Sequence, residues 1–98
     1  MLIQANSSNF RVGRPGGISY IVIHYTANNG DTARGNCGYF QGANRQASAH
    51  YFVDENEVMQ SVIDQNTAWH CGVDYSKGNA PYWGKCTNAN SIGIEMVS

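Results

Sequence analysis

The sequence predicts an α/β domain, a mixed β-sheet flanked by helices, and three stretches carry that expectation. Ser19-Tyr20-Ile21-Val22-Ile23-His24-Tyr25-Thr26-Ala27 is dense in β-branched and aromatic residues and follows Gly16-Gly17, so it reads as a central strand. Asn28-Asn29-Gly30-Asp31-Thr32 is a turn that ends in a helix cap, and it opens a helix over residues 32–42. Residues 49–54 and 57–62 form a hairpin around Asp54-Glu55-Asn56.

The remaining elements fit around these. Residues 1–17 read as an irregular lead-in with a turn at Arg14-Pro15-Gly16-Gly17, and residues 18–24 as the first strand. Gly35 and Gly38 weaken the helix, whereas Ala33, Cys37 and Phe40 share one helical stripe and make Cys37 a buried thiol. A short helical turn is expected over 64–69, a long loop over 72–88 and a last strand over 91–97. There is no repeat, linker or low-complexity segment.

Composition narrows the class. The 98 residues suffice for one domain with a modest core, and 42% hydrophobic against 13% charged residues suits a globular chain. A net charge of -1 gives no reason to expect nucleic acid or an anionic membrane as partner. No apolar run reaches transmembrane length, and Met1-Leu2-Ile3-Gln4-Ala5-Asn6 lacks the basic start of a secretory signal. The expectation is a chain made in the cytoplasm without its own signal peptide.

The three cysteines, Cys37, Cys71 and Cys86, show no C-x-x-C spacing. Cys71 and Cys86 flank a Gly-, Tyr- and Asn-rich stretch, which leaves a disulfide open, while cytoplasmic synthesis favours free thiols.

Five motifs hold the polar residues of interest: His24 at the end of the first strand, Ser48-Ala49-His50-Tyr51-Phe52-Val53-Asp54, Glu57-Val58-Met59-Gln60-Ser61-Val62, Ala68-Trp69-His70-Cys71-Gly72, and Asn88-Ala89-Asn90-Ser91-Ile92-Gly93-Ile94-Glu95. In this order, from about Gly13 to Glu95, the set resembles the type-2 N-acetylmuramoyl-L-alanine amidases, a family of zinc enzymes that includes phage endolysins and is related to the peptidoglycan recognition proteins.

The resemblance implies an amidase-like fold and hydrolysis of the amide between N-acetylmuramic acid and L-alanine in bacterial peptidoglycan, with Zn2+ as cofactor and the cell wall as the place of action. His24 matches the first zinc histidine and Glu95 the general base. The position before His50, a tyrosine in some relatives, is Ala49, which agrees with a glutamate-using branch. His70 and Trp69 match the substrate groove, where the tryptophan offers a flat face to a sugar or peptide, or else serves the core. Asn88 and Asn90 offer amide hydrogen bonds to a ligand or form a turn; His50 stands near the site first for packing or hydrogen bonding, with substrate contact or zinc ligation also open to it.

The family places its second zinc histidine, an aspartate or cysteine ligand and a lysine after the Ile-Gly-Ile-Glu strand. Ser98 comes before any such segment, so residues 1–98 are expected to form a single amidase-like domain truncated on its C-terminal side. A bare sheet edge left by that truncation invites self-association. Two other classes stay open. One is a non-catalytic peptidoglycan-binding module or inactive fragment. The other is a thiol hydrolase using Cys71 or Cys86, which lacks a family-type signature.

Overall fold

The β-branched run at Tyr20–Tyr25 becomes the long strand at one edge of a four-stranded sheet. The computed structural model describes residues 1–26, 30–71 and 85–97. In chain order these form β1 (Phe10–Arg11), β2 (Tyr20–Tyr25), α1 (Ala33–Gly42), β3 (Tyr51–Val53), β4 (Val58–Gln60), β5 (Thr67–Ala68) and β6 (Ser91–Met96). Short 3-10 turns precede β1 and β6, at Ser7–Asn9 and Asn88–Asn90.

The sheet order is β2-β6-β3-β4. The strand latest in sequence thus lies between the two earlier ones, parallel to both, and β3 and β4 close an antiparallel hairpin. The strand, helix, hairpin and final strand expected from the sequence are present, and the sheet is mixed.

Three expectations need correction. β2, expected as a central strand, lies at the edge of its sheet, because β6 from the far end of the chain takes the inner place. The lead-in is not wholly irregular, and 64–69 is not a helical turn. Phe10 pairs with Ala68 and Arg11 with Thr67 in a separate antiparallel ribbon. Two-residue strands carry no readable periodicity, and their partners lie far apart in sequence. Most of the expected 72–88 loop, residues 72–84, lies outside the described residues.

Register decides what each face of the sheet carries. His24 is level with Glu95, Val22 with Gly93 and Tyr20 with Ser91, while Phe52 pairs with Glu95 from the other side. These residues alternate onto one face. Helix α1 covers part of that face with Ala33 and Cys37, which pack with Ala49, Phe52, Met59 and Val97. Phe40 stacks on Phe52 with ring centroids 5.5 Å apart and also reaches the smaller cluster of Ala5, Phe10, Val62 and Ala68. The opposite face of the β2 edge is bare: Ile21, Ile23 and Tyr25 are 60–68% exposed. Parallel strands are ordinarily covered on both faces, so this is an unusual surface. No helix among the described residues is long and apolar enough to cross a membrane.

Caps hold α1 in place. Thr32 accepts from Gly35 N through its hydroxyl, and Asp54, just past β3, accepts from Ala33 N at 2.8 Å. These contacts place an oxygen and a carboxylate where free amides and the helix dipole favour them. Backbone donors at Ala33, Asn56 and Glu57 hold the Asp54 carboxyl below its ordinary pKa.

Arg14 ties the turn after β4 to the entrance of β6. Its guanidinium donates to the carbonyls of Asp64, Asn66, Ala89 and Ser91 at 2.8–3.0 Å. An isolated arginine before a Pro-Gly-Gly turn gives no hint of this role. Charge-assisted bonds are each worth about 1.5–3 kcal/mol, and losing the donor orphans several acceptors at once. Arg14→Met is expected to lower the unfolding free energy by about 2–4 kcal/mol. Urea denaturation beside the wild type checks this, and an unchanged midpoint would contradict it.

Candidate active site

At the carboxyl end of β2 and β6, His24 and Glu95 stand side by side in register on the same face. Each is half-buried. Burial raises the Glu95 carboxyl above its usual range and lowers the His24 imidazole. A carboxylate with a raised pKa is a stronger base, as general-base chemistry requires.

His24 is held from the side. Its Nε2 lies 3.0 Å from His70 Nδ1, and His70 Nε2 lies 2.9 Å from Ser91 Oγ. Ser91 Oγ donates to Thr87 O at 2.6 Å. The direction of the chain follows. With its proton given to Thr87, the serine oxygen accepts from His70 Nε2–H, so His70 Nδ1 is the acceptor for His24 Nε2–H. Both imidazoles are then neutral, and the lone pair left on His24 is on Nδ1. Burial, reinforced by the nearby His24, His50 and Arg14, pushes the His70 pKa down to about 4, in keeping with a neutral ring.

The chain depends on Gly93. A Cβ there would come within 2.5 Å of His70 Cγ and 2.7 Å of Cδ2, so the ring lies directly on the backbone of β6. Gly93 N also donates to His50 Nδ1 at 3.1 Å, and His50 N donates to Gly93 O. His50 is fully buried, with Nε2 2.9 Å from Asn66 O. Its two ring nitrogens are therefore committed to backbone, and burial keeps its pKa low. His50 braces the strand beneath the site and has no surface to offer a substrate.

The other candidates separate in the same way. The Asn90 amide is used within its own turn, donating to Lys85 O and accepting from Thr87 N. Asn88 Oδ1 accepts from both His70 N and Cys71 N, pinning the turn to the His70 segment. Of the two roles open to these asparagines, the turn-forming one accounts for their bonds. Trp69 is half-buried, its backbone N donating to Ser48 Oγ and its O accepting from Ser48 N. Sequence reasoning missed Ser91, Thr87 and Arg14. A serine at the start of a strand carries no signal until its neighbours are known.

A type-2 site would need three protein ligands for zinc. Among the described residues no three His, Cys, Asp or Glu side chains come together to hold a metal ion. His24 is the one donor expected from the resemblance, and the described residues by themselves do not fit a complete zinc site.

Comparison with known proteins bears on this geometry. The family profile described as N-acetylmuramoyl-L-alanine amidase matches residues 13–98. The chain belongs to this amidase family. It is 36% identical over 98 residues to the N-acetylmuramoyl-L-alanine amidase CwlL of Bacillus licheniformis, covering 85% of this chain and 25% of that protein. The figure is 39% over 94 residues for BlyA of Bacillus subtilis (strain 168), covering 85% and 26%. The chain thus spans about a quarter of the length of these curated relatives. Among solved structures, the catalytic domain of XlyA superposes with a TM-score of 0.71 at 28% identity, covering 99% of this chain and 60% of that one. The Staphylococcus aureus hydrolase AmiA, solved in complex with its ligand, matches with a TM-score of 0.61 at 28% identity over 89% of this chain and 35% of its own. The amidase fold expected from the motifs is therefore present.

Gly93→Ala tests the packing at the centre of the site. The added methyl must displace His70, at a cost of about 1–3 kcal/mol for an overpacked position. In NMR spectra the His24 and His70 ring signals are expected to move together. If the signals stay in place and stability is unchanged, the ring does not rest on Gly93.

Proposed function

We propose that this chain is the N-terminal part of a zinc-dependent N-acetylmuramoyl-L-alanine amidase domain of the phage or prophage endolysin type. It would act on bacterial peptidoglycan, at the amide joining N-acetylmuramic acid to the L-alanine of the stem peptide. The observation that supports this most is the pairing of His24 and Glu95 on one face at the strand ends, within a family match that covers residues 13–98.

In this reading Glu95 takes a proton from water as the water oxygen adds to the lactyl carbonyl carbon. The proton passes to the alanine nitrogen as the carbon–nitrogen bond breaks. Desolvation of Glu95 favours the first transfer, because it makes the carboxylate more basic. His24 would hold zinc through Nδ1, the nitrogen left by the His70 contact, with His70 fixing its tautomer from the other side. Zinc in such a site polarises a carbonyl and lowers the pKa of bound water to about 7. Its other donors are not gathered among the described residues. Trp69 would give the sugar or peptide an apolar face.

The incomplete donor set favours a second reading, a peptidoglycan-binding module without catalysis. Zinc content after dialysis and wall clearing, both measured on a longer chain carrying this segment, separate the two. The amidase reading expects bound zinc that His24→Ala removes, and clearing that Glu95→Gln slows by about 10²–10⁴-fold. Wall binding with no release of stem peptides would favour the module, and full activity in Glu95→Gln would refute the base assignment.

We also propose that a chain of this length self-associates through β2. Strand β2 is an edge strand, and Ile21, Ile23 and Tyr25 expose one apolar face beside it. Sedimentation equilibrium is expected to give a dimer that Ile23→Lys reduces to monomer. A monomer at every concentration would refute the proposal.

A further inference from the structure

Cys71 and Cys86 take no part in the site described above, yet the structure brings them to its side. Asn88 Oδ1 accepts from the backbone N of both His70 and Cys71, at 3.0 and 2.8 Å, so the 70–71 segment is fastened to the turn that follows Cys86. Cys71 Sγ lies 3.6 Å from Ser91 Oγ, and that hydroxyl donates to the carbonyl of Thr87, the neighbour of Cys86. Burial, and beside it the neighbouring Cys86 thiol, raises the Cys71 thiol above its ordinary range. Both cysteines are half-buried and free. Cys37 stands apart: it too is free, but it is fully buried under α1 in the core, and burial raises its thiol to about 11.

We propose that Cys71 and Cys86 form a disulfide that clamps the hydrogen-bond chain beside His24. The bond would join the residue after His70 to the residue before Thr87, the two ends of the chain His70–Ser91–Thr87. The oxidant is a low-molecular-weight disulfide. The thiolate of one cysteine attacks one of its sulfurs and expels a small thiol. The second cysteine then attacks the mixed disulfide and expels the other. Two protein thiols are oxidised, one small disulfide is reduced to two thiols, and the two protons end on the released thiols. Reduced cysteines are the state at synthesis in a reducing compartment, and the bridge is the state in an oxidising one. Only the choice of an oxidising setting rests on action at the cell wall; the pairing itself rests on the geometry alone.

The sequence makes the pairing easy to read. Trypsin cuts after Arg34, Arg45, Lys77 and Lys85, so Cys37, Cys71 and Cys86 fall in three different peptides, 35–45, 46–77 and 86–98. The native 98-residue chain is incubated with oxidised glutathione, its remaining thiols are alkylated, and the digest is analysed by mass spectrometry without reductant; a second sample is oxidised in denaturant. The expected product is one linked pair, 46–77 with 86–98, with Cys37 alkylated only after unfolding. The oxidised chain is expected to melt about 5–10 °C higher than the reduced one, a gain that reductant abolishes. Amide exchange at Cys71 and Ser91 is expected to slow. Any of three results would overturn the proposal: glutathione retained on both cysteines with no internal bridge, three free thiols, or the same mixture of pairings in native and denatured samples. Wall activity enters none of these readouts, so a failed bridge and a failed amidase reading are distinguishable.

Discussion

The site depends on one close approach, the His70 ring lying on the bare backbone of Gly93. Aromatic rings reach a strand this closely only where no Cβ stands between them, so the position requires glycine for space. From that contact His70 faces His24 on one side and Ser91 on the other, and each partner sits at a β-sheet position with little freedom. Directed hydrogen bonds then set the tautomers. His24 is presented in one tautomer because the Ser91 hydroxyl, already donating to Thr87 O, accepts from His70.

Support for β6 comes from below and from the side. His50 receives the Gly93 amide and passes the load to Asn66, while Arg14 gathers the carbonyls of Asp64, Asn66, Ala89 and Ser91. Arg14 and the neutral His50 are thus spent on backbone, and they keep the entrance of β6 fixed relative to the ribbon of β1 and β5. The half-burial of Glu95 follows from the same packing, since Phe52 is its register partner and lies in the core under α1. Its raised pKa is a consequence of position, with desolvation as the cause.

The two faces of the sheet differ sharply. One carries the histidines, Glu95 and the α1 core; the other leaves Ile21, Ile23 and Tyr25 open to solvent. A parallel edge strand with one uncovered face is stable only if the covered face is well packed, and here the stacked Phe40 and Phe52 and the fully buried Met59 and Cys37 provide that packing.

The sequence by itself determined the long elements and the family. The β-branched run of β2, the Thr32 cap, the hairpin around Asp54 and the Ser91 to Met96 strand are local signals, because propensity, capping and turn chemistry act over a few residues. Ordered motifs also pointed to His24 and Glu95, and to the family. Tertiary structure alone decided the rest. The pairing of Phe10–Arg11 with Thr67–Ala68, the level placement of His24 beside Glu95, and the use of His50, Asn88 and Asn90 as braces all join residues far apart in the chain. A histidine or an asparagine reads the same in sequence whether it meets a ligand or a backbone amide. Only the fold supplies the partner that decides which.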